Sequence, residues 1–590
     1  MSLDRCLNDI EIEGMINQGR LLNTPVDNRI QPCSFDPRVG NEIFIIDAEE
    51  GLFRPNNQES VYRTLLQLPG RRREKVNIKG GFELKKGFTY LIPIEEKIIL
   101  DADEYLKSSP KSSLGRLFLD TRMLTDYNSS FDEVSGDNVS NKTLNLWLLT
   151  QPLAFNIILY PEISLNQLRF FKGDDSRLPD SEIKKEFAKN PLLYSKDGSG
   201  KSIPISNLNI RDGLDIHLDL SGKGTQGIVG LRARHNPDPI DISKKNEYDA
   251  EEFFEPLKGN KINLKRGELY LFYSAEILKI PPHLSAEMND HSKISLRGPL
   301  HFAGFIDSGF TGDLAFEIRS DEVSPMELND NMPISKLEIF RNNSPKRIYG
   351  EEIGSSYNHQ VGPRVSKHFK PFDFSLAARN YKKLDREVLV QDRLLLEPFR
   401  KNKIGFEFFT GDESMLIKTI EKGFFQSRYD CEQDELVLQP IPYVILLNDK
   451  GQVFSYVRTE DIKDYGDKRL FGKYSVGVGG HINKTDKNDK QNLIQTCLNR
   501  EVFEEEVEII GSYSPPKFVG TIIEDKKPVD RVHFGLVYAL HVNGNVTPKE
   551  ASIITGEMIP IKTLMNDPNL ERYETWSQIL IPNLDEIYKK

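Results

Sequence analysis

The 590-residue chain holds only four cysteines and two tryptophans, and no apolar run in it is long enough to span a bilayer. Cys6, Cys33, Cys431 and Cys497 are scattered, with no C-x-x-C pair and no neighbouring histidine. This excludes a disulfide framework and predicts no zinc site. The opening residues Met1–Cys6 lack the apolar core of an export signal, so the expectation is a soluble, cytoplasmic protein with no membrane partner. Positive charge is also in short supply: 78 Lys and Arg against 89 Asp and Glu leave a net charge of -11. Such a balance argues against a nucleic-acid partner held by phosphate neutralisation, while leaving room for a basic pocket around one free nucleotide. The length exceeds one hydrophobic core, so two to four domains are expected.

From about residue 30 to 345, short β-type runs alternate with Gly, Pro, Asn and Asp. Examples are Glu42–Ile46, Phe88–Pro93 and Glu268–Tyr273. Short strands at regular spacing predict sandwiches or barrels. This part reads as written twice. Lys85-Lys86-Gly87-Phe88-Thr89-Tyr90-Leu91 recurs in outline as Lys265-Arg266-Gly267-Glu268-Leu269-Tyr270-Leu271, and Asn166–Phe171 as Ile334–Phe340. A period of this size implies two whole domains rather than a solenoid. The Lys-, Asp- and Ser-rich stretch Asp174–Lys201 reads as the linker. Beyond about residue 375, strands such as Tyr443–Leu447 precede helical segments such as Gln491–Val507, which predicts a separate α/β domain.

Two carboxylates stand out in Phe302–Glu317. Asp307 lies in a turn flanked by Gly304 and Gly309, and Glu317 lies in a strand where Leu314, Phe316 and Ile318 alternate with Ala315, Glu317 and Arg319. A strand Glu is either a surface residue on the wet face or an inward-facing acid. Upstream, Lys111-Ser112-Ser113-Leu114-Gly115-Arg116 sets two hydroxyls and a guanidinium around small residues, a pattern that in isolation also fits a turn.

Together these segments resemble the dCTP deaminase and dUTPase superfamily. The dCTP deaminase motif Arg/Lys-Ser-Ser-x-x-Arg matches residues 111 to 116. The motif Ile-Asp-x-Gly-Phe with a following strand Glu matches Ile306–Phe310 and Glu317, and Ile30–Gly40 is similar to the opening strand of that family. The likeness covers about residues 5 to 370 and is closest to the long form with two fused repeats. The repeats are unequal: the first reads Leu146-Trp147-Leu148-Leu149 where the strand Glu is expected, and the second reads Lys293-Ile294-Ser295-Leu296-Arg297 in place of Ser-Ser-x-x-Arg. Each keeps the half that the other has lost, which implies one composite site. Losing either repeat is then expected to abolish the chemistry.

The resemblance implies metal-free hydrolytic deamination of dCTP to dUTP and ammonia. Most nucleobase deaminases activate water on zinc beside a His-x-Glu motif, which this chain lacks. A desolvated Glu317, its pKa raised by burial, would take the proton of water and pass it on. Ser112 would orient that water, and Arg116 would hold the base and water through directional donors. Asp307 would bind the deoxyribose 3'-hydroxyl. Lys111, Ser113, Ala315, Phe316, Tyr349 and Gln360 would line the nucleotide, the last two from a C-terminal arm closing over the triphosphate. Ser356 stands where the arm's Lys is expected, so Lys111, Arg38 and Lys367 are candidate replacements. A dUTPase using Asp307, a bifunctional enzyme and a non-catalytic nucleotide sensor are the alternative readings.

Near the C-terminus, Gly477–Ile482 precedes Arg500-Glu501-Val502-Phe503-Glu504-Glu505. On an α-helix the spacing of 501, 504 and 505 puts three carboxylates on one face, where Mg²⁺ on a diphosphate would relieve their repulsion. The segment resembles the Nudix box, over about residues 400 to 588 and including Lys468–Ser475 and Val532–Gly535. The resemblance implies Glu501, Glu504 and Glu505 as magnesium ligands and Arg500 as a brace for Glu504. Asn492 replaces the upstream Glu of the box.

The fold expected is therefore multidomain: two tandem all-β dUTPase-like distorted jelly-roll barrels at 1–190 and 191–372, then an α/β/α Nudix-like sandwich at 373–590. Magnesium is expected with the triphosphate and in the Nudix-like domain. The expected partner is a deoxynucleoside triphosphate, and the family analogy adds a homo-oligomer, a trimer.

Overall fold

The computed structural model describes residues 4–25, 29–46, 53–68, 70, 73–235, 238–290, 304–319, 326–350, 353–375, 377–378, 386–401, 404–432, 434–458, 472–487, 491–524, 530–549 and 553–590. The chain divides into two compact units, Met1–Ala378 and Arg379–Lys590. Among the described residues no helix is long and apolar enough to cross a membrane.

Among the described residues the first unit is built from sheets of two to six strands, antiparallel except where Ile157–Leu159 runs parallel to Ile240–Asp241, and its duplication is visible in single hydrogen bonds. Strand Thr89–Ile98 is entered through a turn in which the Lys85 amide donates to the Tyr90 hydroxyl at 2.8 Å, and strand Leu269–Tyr273 is entered through the same bond from Lys265 to Tyr270, also 2.8 Å. Strand Asn166–Lys172 pairs with Glu104–Pro110 as Pro333–Arg341 pairs with Leu284–Asp290.

Register fixes which residues correspond. Leu91 faces Leu149 in the first copy, and its counterpart Leu271 faces Glu317 in the second. Leu149 thus occupies the place of the acid. Beside it Trp147 packs with Ile46, Val61, Leu65 and Leu124, and its ring stacks on Tyr62 at 6.4 Å. The first copy has filled its own site with apolar side chains.

The two copies share a core. Leu114, Leu117, Phe118 and Phe155 of the first pack in one cluster with Leu231, Phe254, Leu271, Tyr273 and Ala315 of the second. The other face of the second copy's sheet, carrying Tyr270, Phe272, Phe316 and Ile318, belongs to a separate core. This explains why Glu317 does not face water: both faces of strand Ala315–Arg319 are covered, and the face bearing Glu317 looks toward the first copy.

Two sequence expectations change here. The presumed linker contains helix Asp180–Lys189, whose Ile183 and Phe187 are buried in the second core, and strand Leu193–Ser195, which pairs with Glu276–Lys279. Its charged residues form the wet side of an amphipathic helix. Ile30–Gly40 is not a strand but an irregular segment held by the isolated bridges Ile30–Phe35, Phe35–Leu168 and Val39–Ile94. Pro32 and Pro37 lack the amide donors that a continuous ladder needs.

Among the described residues the second unit is built on a mixed sheet of eleven strands. Its central strand Val437–Asn448 runs parallel to His533–Pro548. Alternation along that strand sends Val444 and Leu446 to one face, under Leu416, Ile420, Ile494 and Leu498, and Tyr443, Ile445 and Leu447 to the other, under Ile561, Leu564, Leu580 and Leu584. Helices thus cover both faces, as the continuous apolar run of the strand requires.

Candidate active site

Arg116 is the centre of the site. It follows the short helix Ser112–Gly115 of the first copy, and the apolar Leu114 and Leu117 around it anchor that turn in the shared core. Its guanidinium is 3 % exposed. Nη2 donates to Gln360 Oε1 at 3.1 Å, Nη1 donates to the Arg364 carbonyl, and the group stacks on the Tyr357 ring with its carbon 3.8 Å from the centroid. All three partners come from the C-terminal segment of the second copy. Gln360 is fixed in turn by donating to the Asp313 carbonyl at 2.6 Å, while the Asp313 amide donates to the Gln360 carbonyl.

Glu317 is 2 % exposed and lies on the strand face shared by Ala315. The hydroxyl of Tyr273 lies within the electrostatic reach of Arg116, Asp313, Glu317 and Tyr357. Asp313 is fully buried, its carboxylate taking Lys196 at 2.8 Å and the Gly362 amide. Burial raises its pKa, against the opposing pull of Lys196 and Arg116.

Asp307 is also buried. Its turn needs Gly309, at φ +90°, where an added Cβ would lie 2.8 Å from the Ile348 side chain. The carboxylate lies 3.6 Å from the fully buried Arg169 and within the field of Lys111 and Asp36. Burial raises its pKa and Arg169 opposes the shift. Lys111 pairs with Asp36, and the Ser113 carbonyl accepts the Ser366 hydroxyl at 2.6 Å. The next residue, Lys367, is pushed down to about 8, first by burial and then by the charges of Lys111 and Lys245. Tyr349 is half-buried, its ring 5.7 Å from Phe310, and its hydroxyl is pushed up by burial and by the neighbouring Tyr357 and Asp307.

The structure therefore gathers Arg116, Glu317, Asp307, Tyr349 and Gln360, with Lys111, Ser112 and Ser113 on the adjoining helix and Ala315 on the same strand face as Glu317. Phe316 differs: its ring points into the second core, so only its backbone borders the site. Arg38 is held by other acids, with Glu96 taking its Nε at 2.7 Å and Glu162 its Nη1 at 3.3 Å. Ser356 precedes the stacked Tyr357. Phe302, Ala303 and Lys293–Arg297 lie outside the described residues. Tyr273, Asp313, Lys196 and Tyr357 escaped the sequence reading, since their roles depend on how the two copies face each other. The sole trace was Asp313 in an otherwise apolar run beside Glu317.

Two descriptions of one family match this unit: "2'-deoxycytidine 5'-triphosphate deaminase (DCD) N-terminal domain" over residues 4–174 and the corresponding C-terminal domain over 180–369. The chain belongs to the dCTP deaminase family. The crystal structure of 2'-deoxycytidine 5'-triphosphate deaminase from Agrobacterium tumefaciens covers 58% of the chain and 99% of its own length, at 28% identity and a TM-score of 0.52. The dUMP-forming dCTP deaminase of Dictyoglomus turgidum is 28% identical over 195 residues, 32% of this chain and 93% of that protein. Protein YmaB of Bacillus subtilis is 30% identical over 211 residues, 34% of this chain and 99% of that protein. The two all-β copies thus have the dUTPase-like fold of the dCTP deaminase family.

In the second unit the carboxylates are arranged differently from the expectation. Helix Leu493–Leu498, capped by Asn492, continues as a π-helical segment Asn499–Glu506. Wider π-turns break the i, i+3, i+4 alignment assumed for an α-helix. Arg500 does not brace Glu504; it binds Asp486 through Nε and Nη2 at 2.7 and 2.9 Å, and contacts Glu501 at 2.5 Å and Glu505 at 3.4 Å. Glu504 is exposed. Among the described residues no group of three or more His, Cys, Asp or Glu side chains converges to hold a metal ion. As placed, Glu501, Glu504 and Glu505 do not fit a magnesium ion, because they do not converge on one point and Arg500 lies against two of them. Gly480 does sit against this segment: an added Cβ would lie 2.4 Å from the Glu501 carboxyl. Lys468–Phe471 and Asp489 lie outside the described residues.

Proposed function

We propose that the first unit hydrolyses dCTP to dUTP and ammonia at one composite site per chain. The observation that carries this reading is the buried Arg116 of the first copy bonding to Gln360 of the second, with the buried Glu317 on the sheet face whose Leu271, Tyr273 and Ala315 share a core with the first copy. The names of the Agrobacterium tumefaciens and Dictyoglomus turgidum relatives agree with the deamination, the latter being named as dUMP-forming. Glu317 takes the proton of a water that adds to C4, and later returns it to the departing nitrogen. Ser112 orients the water. Arg116, rigidly held by Tyr357 and Gln360, presents directional donors to the charge that develops on the ring. Asp307 binds the deoxyribose 3'-hydroxyl, and Lys111 with Lys367 faces the triphosphate, whose magnesium ion travels as part of the substrate.

For residues 379–590 we retain a Nudix-like module as the reading, supported by the Arg500–Glu505 motif and the approach of Gly480 to Glu501. No metal-dependent step is derived for it. A trimeric assembly belongs to the same proposal and is read by light scattering.

The test is incubation of the purified chain with dCTP and Mg²⁺, with ammonia assayed and nucleotides separated by chromatography, beside Glu317→Gln. Ammonia and dUTP from the wild type alone support the reading. Unaltered dCTP in both samples refutes it, and dUMP with ammonia shows a further hydrolytic step.

A further inference from the structure

Tyr273 closes strand Leu269–Tyr273 opposite Ala315, while Leu271 stands opposite Glu317. Residues opposed in an antiparallel pair share a face, so Tyr273 and Glu317 are diagonal neighbours, with Cβ atoms about 7–8 Å apart and within reach of an aromatic side chain. Tyr273 is 2 % exposed, and its hydroxyl makes no hydrogen bond to any described residue. It shares that condition with Arg116 Nε and Asp313 Oδ1, the polar atoms of two residues whose fields it occupies. A buried hydroxyl without a partner is unfavourable, and phenylalanine would fill the same space without that cost. In the first copy, where the acid is lost, the corresponding residue is Pro93, paired with Trp147.

Resting on the deaminase reading above, we propose that Tyr273 Oη donates a hydrogen bond to the water that Glu317 activates and to the oxygen which that water becomes on C4. Burial pushes the phenol well above its ordinary range, so the group stays protonated and serves as a donor, not as a base. The step balances without a further reactant. The water oxygen bonds to C4 as its proton passes to Glu317. The C4–N bond then breaks, nitrogen leaves as ammonia with the proton returned by Glu317, the second proton of the water passes from the oxygen to ring N3, and the oxygen remains as the uracil carbonyl. Tyr273 contributes only while negative charge builds on that oxygen, so its effect falls on turnover rather than on nucleotide affinity.

The experiment compares wild type, Tyr273→Phe and Glu317→Gln for kcat and KM with dCTP and for melting temperature. Tyr273→Phe is expected to lower kcat by about 10²-fold, the loss of one preorganised donor, with KM unchanged and the melting temperature equal or higher. Wild-type turnover in Tyr273→Phe would overturn the proposal, as would a raised KM at constant kcat. A clearly lower melting temperature would also overturn it, by showing that the hydroxyl serves the fold. Absence of ammonia from the wild type would instead sink the deaminase reading, which separates the two failures.

Discussion

Replacing Arg116 with methionine keeps the aliphatic stem and removes the guanidinium. In the folded chain that group serves two acceptors, Gln360 Oε1 and the Arg364 carbonyl, and lies on the Tyr357 ring. A hydrogen bond to a charged group contributes about 1.5–3 kcal/mol, and a desolvated cation–π contact about 2 kcal/mol. The sum overstates the loss, because removing the cation also removes the cost of burying it. A net destabilisation of about 2–4 kcal/mol is expected. With an unfolding entropy of roughly 2 cal/mol/K per residue, a unit of this size should melt about 2–5 °C lower. Activity should fall far further, by about 10³-fold or more, since Arg116 is both a donor at the site and the fixing point of the arm that closes it. Calorimetry and an ammonia-release assay read the two effects separately. The decisive arm is the double variant with Glu317→Gln. If the two residues act on one substrate, the second substitution adds little to the first. Multiplying losses, or an Arg116→Met enzyme with wild-type turnover, would refute the composite site.

Other outcomes follow from the same geometry. Lys367 is charged below about 8 and neutral above it, so its grip on a triphosphate is present at lower pH and fades as pH rises through that value. KM for dCTP should climb in that range, and Lys367→Met should have a high KM that no longer varies there. Asp307→Ala leaves Arg169 buried and unpaired, so a loss of about 3–5 kcal/mol is expected in denaturant titration, little altered by salt because both groups are shielded from solvent. Gly480→Ala should displace the Glu501 carboxyl from Arg500 while costing little stability, since only the end of a flexible side chain must move. Any pyrophosphatase activity of the second unit, assayed on nucleoside triphosphates with Mg²⁺, should fall in parallel.

The duplication was legible in Lys85–Leu91 and Lys265–Leu271 because a strand entrance repeats its turn chemistry, down to the tyrosine that takes the turn amide. Arg116 and Glu317 were legible only through the likeness of their local motifs to the family pattern, since in isolation the one fits a turn and the other the wet face of a strand. Tyr273, Asp313 and Tyr357 were not, as a strand tyrosine reads as core until the other copy is placed against it. The partner of Arg38 was hidden for the same reason: Glu96, which pairs with it, lies far away in sequence. The segment 499–506 failed at the level of local geometry, where carboxylate spacing was converted to a face with the pitch of an α-helix and the chain adopts a wider turn. Helix Asp180–Lys189 was hidden by its polar majority, with two apolar anchors, Ile183 and Phe187, too few to mark an amphipathic pattern.

The apolar packing around Leu149 and Trp147 has a stoichiometric consequence. On the deaminase reading, two similar folds with a single acid form one site, so binding of dCTP to the first unit should saturate at one equivalent per chain. Because the cation and the acid are joined by the same polypeptide, dilution cannot part them. Specific activity from this site should hold constant down to concentrations at which a site assembled from separate copies would come apart.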